Sequence, residues 1–108
     1  MDWLNNLIGN RRTKNYGLRQ DGTPKGEGYF GELQRPGGGI STELSIGVDG
    51  QQIPSLVQTL SKRDIQYLLT GGEPTQDIVQ KAILHAQERR KQNKSPFYQM
   101  GEARPYGY

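Results

Sequence analysis

The sequence contains no cysteine and is short of apolar residues, which make up only 31% of its 108 positions. Without cysteine there is no disulfide framework, no thiol nucleophile and no cysteine metal site. Because ordinary globular chains are about 45–50% apolar, this composition predicts a small core with part of the chain outside it. No stretch approaches the roughly 18 apolar residues of a membrane span. The start at Met1-Asp2-Trp3 lacks the basic segment that opens a signal peptide, so we expect a protein that is cytosolic at synthesis.

Charge is unevenly distributed along the chain, although the net value is only +3. Residues 1–35 carry 6 basic and 4 acidic side chains, residues 36–80 carry 2 and 5, and residues 81–108 carry 6 and 2. The ends are therefore basic and the centre is acidic. Such a distribution suits binding of acidic surfaces at the ends, or head-to-tail packing of copies.

Residues 1–27 are predicted to form a short amphipathic helix followed by a polar, basic arm. Asp2 is placed to cap the helix and Gly9 to end it. Two turns are too few to be stable alone in water, so the apolar face must dock on its own fold, on a partner or on a membrane surface. The docking face consists of Trp3, Leu4, Leu7 and Ile8.

Residues 28–97 have the patterns of a compact module with strands and helices. Residues 29–33 are typical of a short strand, and residues 40–48 alternate apolar and polar, which predicts a half-buried antiparallel strand. Asp49-Gly50 then signals a tight hairpin, and Pro54 limits the return strand to a short or edge position. On the strand's predicted inner face lie Ile40, Thr42, Leu44, Ile46 and Val48.

Two helices are predicted to follow the hairpin. Ser61 and Asp64 form a capping box for a helix over 61–69. Pro74 or Thr75 opens a longer helix to about residue 93, and Phe97 is expected to fold back on the core after it. The predicted buried stripe of that helix is Ile78, Val79, Ala82, Ile83 and Ala86. The fold class is thus α+β: a small antiparallel β-hairpin or three-stranded sheet packed with two helices, with extended arms at both termini.

Residues 98–108 show no periodicity and are predicted to form an extended tail. Tyrosines give this tail adhesive groups for a partner, and we assign partner docking to Tyr98, Tyr106 and Tyr108.

Nothing in the pattern indicates a catalytic residue, a metal ligand or a cofactor. Gly26–Gly31 matches G-x-G-x-x-G in spacing, but it lacks the preceding strand and following helix that phosphate binding requires. His85 is the sole histidine and has no cysteine or histidine partner for a metal. We interpret it as a structural or surface residue.

Two basic clusters are candidates for contact with a nucleic-acid backbone. The alternative is that they belong to a solvated arm and a solvated helix end. The candidate residues are Arg11, Arg12, Lys14, Arg19, Lys25, Arg89, Arg90, Lys91 and Lys94.

Several motifs between residues 28 and 97 resemble a small module of tailed-bacteriophage proteins. They are Tyr29-Phe-Gly-Glu-Leu33, Gly38-Gly-Ile-Ser-Thr-Glu-Leu-Ser-Ile-Gly-Val48, Ile53-Pro-Ser-Leu-Val57, Leu68-Leu69, Gly71-Gly72, Pro74-Thr75, Ile78-Val79, Lys81-Ala82, His85-Ala86 and Lys94-Ser-Pro-Phe97. The module occurs as a small protein or within larger phage proteins, mostly of unassigned function. The resemblance implies a phage context and carries no catalytic residue to this chain.

These observations lead to three hypotheses. The first is a non-enzymatic structural or accessory protein of a tailed-phage virion, at the head–tail junction, in the tail or among ejected components. It would dock on other virion proteins through its arms, in multiple copies. The second is a phage accessory protein that binds nucleic acid through the basic arms. The third is an enzyme or a regulator of a host enzyme.

Overall fold

The computed structural model describes residues 15–102, which form an α+β fold as the sequence predicts. Four short strands precede two helices. The elements are β1 (Leu33–Gln34), β2 (Ile40–Ser41), β3 (Ser45–Val48), β4 (Gln51–Pro54), α1 (Lys62–Leu69) and α2 (Gln76–Lys91). The predicted N-terminal helix and six of the seven predicted docking residues lie in 1–14 or 103–108, outside the described residues. So do the predicted nucleic-acid contacts Arg11, Arg12 and Lys14.

The hairpin predicted at Asp49-Gly50 is confirmed. β3 and β4 pair antiparallel, with Val48 opposite Gln51 and Ser45 opposite Pro54. Asp49 and Gly50 form the two-residue turn with φ values of 51° and 77°. Positive φ at both positions is what this turn requires, and Asp-Gly tolerates it well.

The predicted strand over residues 40–48 is interrupted in the structure. β2 ends at Ser41, where it pairs with Leu33 of β1, and β3 starts at Ser45. Thr42 and Glu43 between them instead bond residue 26: the Thr42 hydroxyl donates to the Gly26 carbonyl and the Gly26 N–H donates to Glu43. Of the two predicted alternatives, residues 15–102 form the β-hairpin and not the three-stranded sheet, and β1 and β2 make a separate two-stranded ladder.

Both predicted helices are confirmed, with their N-caps. Ser61 accepts a hydrogen bond from the Asp64 N–H at 3.1 Å, and Thr75 accepts one from the Ile78 N–H at 3.2 Å. These bonds satisfy amide groups that have no partner within a helix. No helix within residues 15–102 is long and apolar enough to cross a membrane.

The core consists of two neighbouring clusters of buried side chains. The larger joins the loop before β1, the β4–α1 connection and both helices. The smaller seals the hairpin onto α2 through Ile53, Ala82 and Ala86. Members of the larger cluster include Tyr29, Phe30, Leu33, Leu56, Val57, Ile65, Leu69, Ile78 and Tyr98.

The segment after α2 belongs to this core. Phe97 is buried, as predicted. The position of Tyr98 is a correction to the sequence analysis, which assigned it to an extended tail: only 9% of Tyr98 is exposed. Its ring packs against Tyr29, with centroids 5.6 Å apart, and its hydroxyl donates to the Glu102 carbonyl at 2.6 Å.

Candidate functional site

An arginine–carboxylate pair fixes the segment before the module to the body. Arg19 donates from Nε to Glu43 Oε1 at 2.8 Å and from Nη2 to Glu43 Oε2 at 2.7 Å. Two parallel charge-assisted bonds of this kind set both distance and orientation. The Gly26 N–H also donates to Glu43, at 2.9 Å. We call Arg19 and Glu43 the N-terminal anchor.

The N-terminal anchor lies against the segment that follows α2. The Arg19 guanidinium stands 4.3 Å from the centroid of the Phe97 ring, within range of a cation–π interaction. A Cβ atom at Gly26 would come within 3.8 Å of the Tyr98 carbonyl. The segments on the two sides of the module therefore meet in one region of the surface.

A compact loop presents Arg19 to Glu43. The Arg19 N–H donates to the Thr23 carbonyl and the Lys25 N–H donates to the Gly17 carbonyl. Asp21 accepts from both the N–H and the hydroxyl of Thr23, and these bonds lower the pKa of the Asp21 carboxyl. The loop is thus held by its own hydrogen bonds as well as by the anchor.

A second arginine–carboxylate pair fixes the segment after α2. Arg89 donates to Glu102 from Nη1 at 2.6 Å and from Nη2 at 2.7 Å. It also donates to the Ser95 and Phe97 carbonyls. Hydrogen bonding to Arg89 lowers the pKa of Glu102 to about 2. We call Arg89 and Glu102 the C-terminal anchor.

His85 supports the same segment from the middle of α2. Its Nε2 lies 2.8 Å from the Pro96 carbonyl and 3.0 Å from the Tyr29 hydroxyl, and that hydroxyl donates to the Pro96 carbonyl at 2.7 Å. A carbonyl only accepts, so the geometry assigns a proton to Nε2. That nitrogen then has no free lone pair, and the arrangement holds Pro96 in place.

Burial shifts the pKa values of both His85 and Tyr29. Desolvation lowers the pKa of His85 and raises the pKa of Tyr29. Both groups are therefore neutral in the folded protein near neutral pH, which suits their hydrogen bonds to an uncharged carbonyl.

The described candidates for nucleic-acid contact differ in whether their charge is available to a phosphate. Arg19 and Arg89 are committed to carboxylates in the two anchors, so little of their charge remains for phosphate. Lys25 is half-buried. Of the described candidates, the exposed ones are Arg90, Lys91 and Lys94, near the carboxyl end of α2.

Of the predicted docking residues, one lies within the described part of the chain and six lie outside it. Tyr98 is in the core, and its ring is unavailable as an adhesive group. The remaining predictions lie outside the described residues and stay predictions: Trp3, Leu4, Leu7, Ile8, Tyr106 and Tyr108. Within residues 15–102, no group of three or more His, Asp or Glu side chains is arranged to hold a metal ion.

Sequence reasoning missed the acidic halves of both anchors. The alternating pattern of residues 40–48 predicts a solvent-facing position for Glu43, but only 5% of it is exposed. Glu102 lies within the segment that the sequence predicts to be an extended tail. No local signal marks either residue, because their arginine partners lie 24 and 13 positions away.

An open groove runs beside the N-terminal anchor, with a volume of about 570 Å³. The hairpin tip forms one wall through Gln51 and Gln52, and the segment around Phe97 forms another. Arg90 closes one side, with its Nη2 donating to the Gln51 side chain at 2.5 Å.

No protein-family model matches the chain, and no curated protein or solved structure is detectably similar to it. The resemblance to a phage module is carried by the sequence motifs between residues 28 and 97 alone and stays a prediction. The site itself consists of two anchors and a half-buried histidine network, all of which hold terminal segments against the module.

Proposed function

We propose that the chain is a non-enzymatic structural or accessory component of a tailed-phage virion, made in the host cytoplasm and docked on neighbouring virion proteins through its terminal arms. The sequence motifs between residues 28 and 97 support the phage context. The structural observation that carries the docking role is the contact between the two terminal segments, with Arg19 stacked on Phe97 at 4.3 Å.

The anchors give the arms a defined starting point. Because Arg19 and Glu102 are each held by paired hydrogen bonds, residues beyond them leave the module from fixed positions. Less conformational entropy is then lost when an arm binds a neighbour. Two arms that start in one region also reach the same neighbour, so the second contact gains from a high effective concentration.

The location is tested by quantitative mass spectrometry of purified phage particles. The chain is counted against the portal or capsid protein of the same particles. A fixed ratio at a multiple of a ring symmetry is the expected result for a structural part present in multiple copies. Absence from the particles would overturn the proposal.

The role of the arms is tested by truncation. Deleting residues 1–14 or 103–108 removes predicted docking residues and leaves both anchors intact. We expect either truncated protein to fold and to lose particle association. As a matched control, Leu84→Ser changes a side chain on α2 that is 60% exposed, and it should leave association unchanged. Unchanged association after both deletions would contradict docking through the arms.

A second candidate function is nucleic-acid binding, which is favoured by the exposed group Arg90, Lys91 and Lys94. Contacts to phosphate make affinity fall steeply with salt, with a log–log slope near 0.9 for each phosphate neutralised on duplex DNA. The double variant Lys91→Gln, Lys94→Gln should lower the slope by about 2. Arg63→Gln, an exposed change on α1, serves as the control. Failure of the intact protein to bind DNA at low salt dismisses this function.

A further inference from the structure

The outer edge of β3 has no strand beside it in residues 15–102. β3 pairs with β4 on one side only, in a two-stranded ladder. Ser45 and Gly47 of this strand are exposed residues. An open edge of this kind presents N–H and C=O groups that can pair with another chain.

The hairpin register determines which groups point outward. In a two-residue hairpin the residues that flank the turn bond each other, so Val48 and, two residues earlier, Ile46 face β4. The bond from the Ser55 N–H to the Leu44 carbonyl, at 2.8 Å, continues this alternation. The N–H and C=O groups of Ser45 and Gly47 therefore point away from β4.

This edge lacks three features that oppose strand addition, although β3 is short at four residues. Natural edge strands carry a charge, a proline or a bulge. β3 reads Ser-Ile-Gly-Val, with none of these. The opposite edge of the hairpin is different, because Pro54 has no N–H to donate.

The strand is also symmetric about Ile46. From Leu44 to Val48 apolar side chains alternate with the small residues Ser45 and Gly47. Leu44, Ile46 and Val48 are all half-buried. A twofold axis at Ile46 therefore places like residue types opposite each other, and an uncharged strand offers no repulsion to its own copy.

We propose that two copies of the chain associate through β3, pairing antiparallel into a four-stranded sheet. In this register Ser45 lies opposite Gly47 of the second copy and exchanges two hydrogen bonds with it, and symmetry supplies two more. Ile46 lies opposite Ile46 of the second copy, and Leu44 opposite its Val48. These apolar pairs bury side chains that are only half-buried in a single copy.

The proposed register is tested by introducing charged residues at positions 45 and 47 and measuring the mass of the full chain by sedimentation equilibrium. The intact protein should approach twice its 12.1 kDa mass as concentration rises. The variant Ser45→Lys, Gly47→Lys sets lysine opposite lysine and should weaken dimerisation by about tenfold. The matched variant Ser45→Lys, Gly47→Glu sets lysine opposite glutamate and should restore it. A side chain at position 47 meets only the flexible end of Gln52, at 3.2 Å, so both variants are expected to fold.

Cross-linking gives a second readout in a chain without cysteine. Ile46→Cys places two thiols in a non-hydrogen-bonded pair, where Cα atoms stand about 4.5 Å apart and a disulfide fits. Val48→Cys is the matched control on the same face. In the proposed register the two Val48 positions of the dimer are offset by four residues, which separates them by about 13 Å, so this variant should not cross-link.

Three results would overturn the proposal: an intact protein that stays monomeric throughout, equal self-association of the two charge variants, or equal cross-linking of the two cysteine variants. A monomer would leave the edge open to a strand of another virion protein instead. Because particle association is measured separately, failure here is distinguishable from failure of the proposed virion role.

Discussion

Arg89 and Glu102 are joined by two parallel hydrogen bonds of 2.6 and 2.7 Å, which fasten the last described residue to the final turn of α2. The Arg89 side chain is only 10% exposed and that of Glu102 is 23% exposed. Removal of one partner from a pair this sheltered costs more than the loss of a surface ion pair, because it leaves a desolvated charge behind.

Glu102→Gln is therefore expected to destabilise the protein by about 2 kcal/mol. The amide keeps the size of the side chain but removes the charge that Arg89 requires. Urea denaturation followed by circular dichroism gives the free energy of unfolding. Glu88→Gln, an exposed change on the same helix, should shift it by less than about 0.5 kcal/mol. Equal effects of the two changes would show that the pair contributes no more than a surface contact.

Acidification is expected to destabilise the fold in two stages. The pKa of His85 is lowered on folding from its ordinary 6.5, so the unfolded chain binds the proton first and stability declines as pH falls below about 6.5. Glu102, with its pKa lowered from 4.5 to about 2, stabilises fully above about pH 4.5, and this contribution is lost as pH falls through about 2.

The variant His85→Gln separates the two stages. Glutamine does not titrate, so the decline that begins near pH 6.5 should flatten, while the decline below about pH 4.5 remains. Thermal unfolding at a series of pH values measures both. An unchanged profile between about pH 6.5 and 4.5 would mean that another group titrates there.

Gly28 is expected to tolerate no side chain. Its φ is +71°, and a Cβ atom would lie 2.0 Å from the Thr42 carbonyl oxygen. Gly28→Ala should cost more than about 2 kcal/mol, since the left-handed conformation alone costs 1–2 kcal/mol and the clash with backbone adds to it. Gly37→Ala is the control, because open space surrounds that position. Comparable melting temperatures for the two variants would rule out this close approach.

Arg19→Gln is expected to release the loop before the module while the module stays folded. Glu43, 5% exposed, would lose its counter-charge, and the amide of Gly26 depends on the same carboxylate. Hydrogen exchange at Lys25 and Gly26 should accelerate by at least tenfold, while the amides of α2 keep their protection. Lys91→Gln, which also removes one positive charge, should change neither. Uniform acceleration throughout the chain would indicate global destabilisation instead.

Local patterns in the sequence determined the hairpin and both helices. Asp49-Gly50 suits the positive φ values of its turn, Ser61 and Thr75 satisfy the first amides of the helices, and Ile78, Ala82 and Ala86 recur at helical spacing and are buried. Each of these depends on residues within a few positions of one another, so the sequence by itself was sufficient.

Tertiary structure alone decided what the charged and aromatic residues do. Glu43 follows the alternation of a solvent-facing position, yet it is buried because Arg19 and Gly26 reach it from the loop before the module. Tyr98 looked like part of a tail, yet it is buried because Arg89 holds Glu102 four residues later. The partners of such groups lie far apart in sequence, and the free energy of burying a charge or a ring depends on whether the fold brings a partner to it.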